Sequence, residues 1–145
     1  GEGRLLASQA GAADLRIGVE PSHVMAHRAR RRGRIVIRGT AQCLPLEQES
    51  VGLVVCSYPG PWIFDPQTWQ ELARVTRSGA HVRILLGGTI ERGPAARARS
   101  FILHVGYGRS DNADIPALGT PEITGAYERR ADDWGEAVYW SGTRR

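Results

Sequence analysis

Short apolar runs alternate with helical segments along most of this 145-residue chain. Runs rich in β-branched residues predict four strands, at residues 15–19, 34–38, 51–57 and 81–86. The clearest helix lies between the last two, with Asp65 as its N-cap, Pro66 in its first turn and Gly79 at its expected end. Because parallel strands need such crossovers, the alternation predicts an α/β fold, a three-layer sandwich on a mostly parallel sheet.

The C-terminal part of the chain has a different pattern. Residues 122–130 and 136–142 flank the tight turn DDWG, which predicts an antiparallel hairpin that joins the sheet. A helix is predicted over Pro94–Val105, followed by a loop rich in glycine, proline and aspartate. The length favours one domain over residues 1–145.

The charge pattern leaves a nucleic-acid partner as a weaker alternative. The net charge is +4 and all 19 basic residues are arginine. The one dense basic run, Arg28–Arg34, falls at the predicted end of a helix, where positive charge is favourable. It lacks the interleaved aromatic residues of a single-strand binder.

Other features of the composition point to a cytoplasmic protein. No apolar stretch approaches the roughly 18 residues of a membrane helix, and no signal-like segment opens the chain. Cys43 and Cys56 form no metal-binding spacing, so we expect two buried thiols in a reducing compartment and no metal.

A glycine pair and an acidic residue suggest a nucleoside site. Gly1 and Gly3 belong to what looks like a glycine loop, and Glu20 follows the first predicted strand. Ligands of open α/β sheets bind beyond the carboxyl ends of strands, where a carboxylate can accept hydrogen bonds from both ribose hydroxyls. Nicotinamide dinucleotides and S-adenosylmethionine both use this arrangement, and Leu6 departs from the dinucleotide fingerprint. The simpler alternative is a surface glutamate beside a helix N-terminus.

Five segments, taken in order, carry a resemblance to a known family. They are GEGRLL, GVEPSHVM, GTAQCLPL, SVGLVVCSY and ELARVTRSGAHVRILLGG. Together the chain resembles a class I S-adenosylmethionine-dependent methyltransferase of the methyltransferase type 11 kind. The resemblance implies a Rossmann-like fold, S-adenosylmethionine as cofactor and a small-molecule methyl acceptor. It also implies that residues 1–90 form the cofactor-binding part and residues 91–145 a C-terminal helix, loop and hairpin.

The resemblance also implies which residues form the site. Those expected at the cofactor are Gly1, Gly3, Glu20, Pro21, Thr40, Ala41, Gln42 and Ser57. Thr40 replaces the family's adenine-contacting acid, so that contact would rest on Ala41 and Gln42, through a backbone N–H or the Gln42 amide. Tyr58 and Trp62 are expected at the acceptor, although Trp62 is equally well explained as a core aromatic.

Methyl transfer needs little acid–base chemistry, because alignment and desolvation of an electrophilic sulfonium supply most of the acceleration. A general base helps only an acceptor that must lose a proton. Tyr58, His104 and Tyr107 are the candidates for that role. The other histidines, His23, His27 and His81, are predicted to be surface residues.

The chain begins inside the glycine-loop motif, so it resembles a family member truncated before its first strand. That strand would lie between the predicted strands at 15–19 and 51–57. We expect those two strands either to close up or to leave unpaired edges, which favour self-association. The alternatives to a methyltransferase are a non-catalytic or weakly active fragment of this fold and, less favoured, a nicotinamide-dependent oxidoreductase.

Overall fold

The computed structural model describes residues 15–89, 117–132 and 135–145. The elements in chain order are β1 (Gly18–Val19), α1 (His23–Arg31), β2 (Val36–Ile37), β3 (Val51–Ser57), a 3-10 helix (Pro61–Phe64), α2 (Pro66–Val75), β4 (Thr76–Thr89), β5 (Ile123–Asp132) and β6 (Gly135–Arg144). The helix predicted over residues 94–105 lies outside the described residues.

The described strands form two sheets. β1 and β2 pair in parallel as a two-stranded sheet, and the other four strands form a sheet in the order β3-β4-β6-β5. β3 and β4 are parallel, whereas β5 and β6 form an antiparallel hairpin whose second strand pairs with β4. This confirms the α/β prediction, with parallel strands first and a C-terminal hairpin last.

Within the described ranges, β1 does not pair with β3. Of the two expected arrangements, the one in which these strands close up is therefore wrong for the part of the chain that is described. The Tyr58 N–H donates to the Leu85 carbonyl oxygen at 2.7 Å, so alternate residues of β3 direct their backbone groups at β4. By the same alternation, the backbone groups of Leu53 and Val55 point away from β4.

The first two strands are shorter than predicted. Only Gly18 and Val19 pair with Val36 and Ile37, although the strands were expected over residues 15–19 and 34–38. The Arg34 N–H is taken by the Ala29 carbonyl oxygen at 3.2 Å, at the end of α1. Arg34 therefore does not join the β1–β2 ladder, because its backbone N–H is already used in this hydrogen bond.

The helix α2 ends earlier than predicted, and β4 begins earlier. Thr76 was expected on the apolar face of a helix that ends at Gly79, but its backbone is extended, with ψ 134°, and pairs with Val51. Its buried hydroxyl donates to the Leu72 carbonyl oxygen at 2.6 Å, the same acceptor that takes the Thr76 N–H at the end of the helix. Gly79, with φ +77°, lies inside the strand, where the left-handed region suits glycine.

The main core lies between α2 and the larger sheet. Its buried members are Ile63, Trp69, Leu72, Ala73, Val82, Ile84, Ile123 and Trp140. The Trp69 indole N–H donates to the Ile63 carbonyl oxygen at 2.7 Å, which ties the 3-10 helix to α2. A smaller cluster of Ala26, Ala29 and Val36 packs α1 on β2.

Candidate functional site

Glu20 is held where β1 ends and α1 begins. Its N–H extends the β1–β2 ladder by donating to the Ile37 carbonyl oxygen at 3.1 Å. Its Oε1 accepts the Ser22 N–H at 2.9 Å, and Ser22 caps α1 through an Oγ that accepts the Met25 N–H at 3.4 Å. Contact with the helix N-terminus is what a surface glutamate would also make. Because each carboxylate oxygen can accept more than one hydrogen bond, the position remains compatible with ribose binding.

The segment after β2, residues 39–46, is named the β2 loop. It folds tightly on itself, because the Cys43 N–H donates to the Thr40 carbonyl oxygen at 3.2 Å and places Ala41 and Gln42 between them. Gly39 lies against β1: a Cβ atom there would stand 2.6 Å from Pro45 Cδ and 3.2 Å from Val19 Cγ1. Glycine therefore lets the β2 loop approach the strand that leads to Glu20.

The β2 loop also reaches α2, the helix that follows β3. The Gln42 amide donates from Nε2 to Asp65 Oδ2 at 3.2 Å, and Asp65 caps α2 by accepting the Gln67 N–H at 2.9 Å. The Leu44 N–H donates to Glu71 Oε2 at 2.7 Å. The structure thus brings the predicted adenine-contacting segment to the first turns of α2.

The end of β3 contains a backbone outlier. Tyr58 has φ +51°, a left-handed conformation that costs a bulky side chain free energy, and its side chain is 43% exposed. The neighbouring Ser57 is exposed as well. The Tyr58 N–H donates to the Leu85 carbonyl oxygen, which anchors the peptide before this residue to β4. Tyr58 was predicted from its position in the motif, and the sequence gives no indication of its left-handed conformation.

Trp62 packs against the main core and is half-buried. A Cβ atom on Gly60 would stand 3.1 Å from its indole Cδ1, so the chain before Trp62 lies close against the ring. The core role that sequence analysis left open for Trp62 therefore has direct support. Its role as a wall of the acceptor site stays a prediction.

Four predicted site residues, Gly1, Gly3, His104 and Tyr107, lie outside the described residues, and so does Leu6. Pro21 is exposed and follows Glu20 directly. The expected surface positions of the other three histidines are confirmed, because His23, His27 and His81 are all exposed. The structure thus relates the β2 loop to both β1 and α2, and it places Ser57 and Tyr58 at the end of the neighbouring sheet.

The two cysteines differ in environment. Both are free thiols, but Cys43 is exposed on the β2 loop, so the prediction that both are buried is wrong for this residue. A loop that is attached through its backbone leaves this side chain facing solvent. Burial raises the pKa of the Cys56 thiol to about 11, which leaves it protonated at neutral pH.

Three further observations concern the described part of the chain. No group of three histidine, cysteine, aspartate or glutamate side chains there is arranged to hold a metal ion. No helix there is both long and apolar enough to span a bilayer. A cavity of about 230 Å³ lies between α2 and residues 117–120, lined by Phe64, Pro66 and Trp69 among others, and none of its lining residues is a predicted site residue.

Several of the solved structures similar to this fold are described as methyltransferases. A methyltransferase from Thermotoga maritima, described as a possible histamine N-methyltransferase, is 24% identical with a TM-score of 0.53; the match covers 90% of this chain and 73% of that one. Geranyl diphosphate methyltransferase, solved with GPP and sinefungin, is 13% identical with a TM-score of 0.57, covering 89% and 63%. The YcgJ protein of Bacillus subtilis is 14% identical with a TM-score of 0.51, covering 89% and 82%. The fold is thus that of the Rossmann-like class I methyltransferases.

The family follows from the sequence itself. Residues 1–84 match the family described as methyltransferase domain. This chain belongs to that family, whose members use S-adenosylmethionine as methyl donor. No curated protein matches the chain.

Proposed function

We propose that this chain transfers the methyl group of S-adenosylmethionine to a small-molecule acceptor. The observation that carries the proposal is the meeting of the β2 loop with both β1 and α2. Gly39 lies against Val19, one residue before Glu20, and Gln42 bonds to Asp65 at the start of α2. This convergence places an acidic acceptor and a tight backbone turn beyond neighbouring strand ends, as nucleoside binding requires.

The groups present fit the nucleoside part of the cofactor. The Glu20 carboxylate offers acceptors for ribose hydroxyls, and the turn at Ala41 and Gln42 offers a backbone N–H and an amide for adenine. Gln42 uses one N–H of Nε2 for Asp65, and its Oε1 is available to the cofactor as an acceptor. A hydrogen-bond acceptor suits the exocyclic amino group of adenine. In the family, the adenine contact is made by the acidic residue that Thr40 replaces here.

When bound, S-adenosylmethionine supplies an electrophilic methyl group on a positively charged sulfur. The task of the protein is to align the acceptor with that methyl group and to exclude water. Ser57 ends β3 and Tyr58 follows it, where they would flank the sulfonium, with Trp62 beside the acceptor. His104 and Tyr107 remain candidates for a base when the acceptor carries a proton.

The test is calorimetric titration of S-adenosylmethionine into the wild-type chain and into Glu20→Ala. Loss of hydrogen bonds to a charged acceptor should weaken binding by about 1.5–3 kcal/mol. Glu47→Ala, which removes an exposed carboxylate just past the β2 loop, is the matched control and should bind like the wild type. Equal affinity in Glu20→Ala would assign Glu20 to the surface of the helix N-terminus.

The edge of β3 supports a second element of the proposal, self-association. Leu53 is 48% exposed, and the backbone around it is turned away from β4. Among the described residues β3 is the edge strand of its sheet, and an apolar edge strand favours pairing with another chain. A chain that associates in this way would be weakly active, which keeps the weakly active fragment as the alternative. Sedimentation of the wild type and Leu53→Lys tests this: the charged variant should shift toward monomer, and an unchanged distribution would reject the β3 edge as the contact.

We propose one domain over residues 1–145, with residues 1–90 binding the cofactor, and a cytoplasmic location. Nucleic acid is not a proposed partner. The basic run lies on and just after α1, where Arg30 Nε already donates to the Val36 carbonyl oxygen at 2.8 Å. That arginine contributes to the packing of α1 on β2.

A further inference from the structure

Glu71 and Arg74 form a bidentate ion pair on α2. Arg74 donates from Nε to Glu71 Oε1 at 2.7 Å and from Nη2 to Glu71 Oε2 at 2.8 Å. This fork geometry is the strong form of an arginine–carboxylate pair. The Glu71 side chain is 18% exposed, so the pair is partly shielded from solvent.

The same two side chains bind the backbone of the β2 loop. Glu71 Oε2 accepts the Leu44 N–H, while Arg74 donates from Nη2 to the Leu44 carbonyl oxygen at 2.9 Å and from Nη1 to the Leu46 carbonyl oxygen at 3.0 Å. The pair therefore fixes two residues of the loop through three hydrogen bonds, none of which uses a loop side chain. A little further on, the Glu49 N–H donates to the Arg74 carbonyl oxygen at 2.9 Å.

We propose that Glu71 and Arg74 are positioning residues for the cofactor, which hold the β2 loop in the conformation that meets adenine. The proposal rests on the proposed function, because it takes Ala41 and Gln42 as the adenine contacts. Those residues lie two to three positions before Leu44, in the same β2 loop, on the turn that ends one residue before Leu44. Fixing the turn before the ligand arrives removes the cost of ordering it on binding.

The decisive variant is Glu71→Gln, which keeps the size of the side chain. Glu71 accepts hydrogen bonds from three N–H groups, two of Arg74 and one of Leu44. An amide has one oxygen, and its NH₂ group would face one of these donors. The matched control is Glu128→Gln on β5, which breaks the exposed pair of Glu128 with Arg130 at 3.2 Å, away from the β2 loop.

The first measurement is the dissociation constant of S-adenosylmethionine for the full chain, taken by calorimetry. Glu71→Gln should raise it at least tenfold, whereas Glu128→Gln should leave it unchanged. Arg74→Lys keeps the charge but loses the fork, so its dissociation constant should lie between those of the wild type and Glu71→Gln. A wild-type chain that fails to bind would count against the proposed function, whereas equal binding by wild type and Glu71→Gln would overturn the positioning role alone.

The second measurement separates a released loop from a destabilised fold. Cys43 is exposed on the β2 loop and Cys56 lies in β3, so the two thiols report different regions of one molecule. In Glu71→Gln, the rate at which iodoacetamide alkylates Cys43 should change at least threefold, while the rate for Cys56 stays slow. In the wild type, S-adenosylmethionine should protect Cys43 from alkylation. If the alkylation of both thiols is accelerated together, and the cofactor affinity of the folded molecules is unchanged, then Glu71 and Arg74 only stabilise the fold.

Discussion

The indole rings of Trp69 on α2 and Trp140 on β6 meet edge to face, with ring centroids 5.0 Å apart and planes inclined by 73°. Both side chains are buried, and they join the helix to the C-terminal hairpin across the main core. Gly142 abuts the Trp140 ring so closely that a Cβ atom there would collide with it. The hairpin is therefore an integral part of the core.

Trp140→Ala should lower the free energy of unfolding by about 3–5 kcal/mol, because it empties a large buried volume. Urea unfolding followed by circular dichroism measures the change. The matched control is Tyr127→Ala, which removes the aromatic residue that pairs with Trp140 across the hairpin but is 38% exposed. It should cost clearly less. Equal losses would show that the hairpin contributes to stability mainly through the strand pairing.

Acid should weaken the fold through Glu71. The hydrogen bonds from Arg74 hold the pKa of Glu71 below its ordinary value of 4.5. The folded state therefore keeps this carboxylate ionised at a pH where the unfolded chain protonates it. The resulting stability is fully present above pH 4.5 and is lost as the pH falls through the folded pKa. The difference in unfolding free energy between wild type and Glu71→Gln should shrink over that range, and a difference independent of pH would contradict the assignment.

Base should weaken the fold through Cys56. Burial raises its pKa from 9.0 to about 11, so the unfolded chain loses the thiol proton before the folded chain does. Stability should therefore fall as the pH rises from 9 to about 11. Urea unfolding of wild type and Cys56→Ala measures the effect, since the variant should lack this component of the slope. Tyr127, whose pKa burial also raises, is present in both chains and cancels in the comparison.

Tyr58→Gly should separate strain from binding. Glycine adopts φ +51° without a steric cost, so relief of the left-handed conformation should offset the added entropy of the unfolded chain, with a net change within about 1 kcal/mol. Glu49 has the same φ and is exposed, so Glu49→Gly is the matched control for stability. Calorimetry should show weaker S-adenosylmethionine binding only in Tyr58→Gly. Unchanged affinity in both variants would remove Tyr58 from the cofactor site.

The elements predicted best from the sequence were those with strong local signals. β3 was predicted at its observed bounds, because a continuous apolar run of this length favours a strand, although none of its residues is fully buried. The start of α2 followed from Asp65 and Pro66. The end of α2 was missed because Thr76 fits the helical apolar spacing, and only its pairing with Val51 decides for an extended backbone.

The site was predictable only where side chains carry the signal. Glu20 stood out because an acid after a strand has a recognisable chemistry. Glu71 and Arg74 lie in a recognised motif, yet they bind backbone groups of Leu44 and Leu46. Almost any residue at those two positions offers the same groups, so the sequence does not reveal these contacts. The exposure of Cys43 was missed for the same reason, since the turn that presents it is closed by backbone atoms.

The separate β1–β2 ladder has a consequence for how the molecule opens. Its two residue pairs and a three-residue apolar cluster hold Glu20, whereas Val82 and Ile84 lie in the four-stranded sheet. Amide hydrogens of Gly18 and Glu20 should therefore exchange with deuterium by local opening, well before those of Val82 and Ile84. A ligand that bridges Glu20 and the β2 loop would selectively slow the exchange of the Gly18 and Glu20 amides. Cofactor affinity and the rigidity of the β1–β2 ladder are therefore thermodynamically linked.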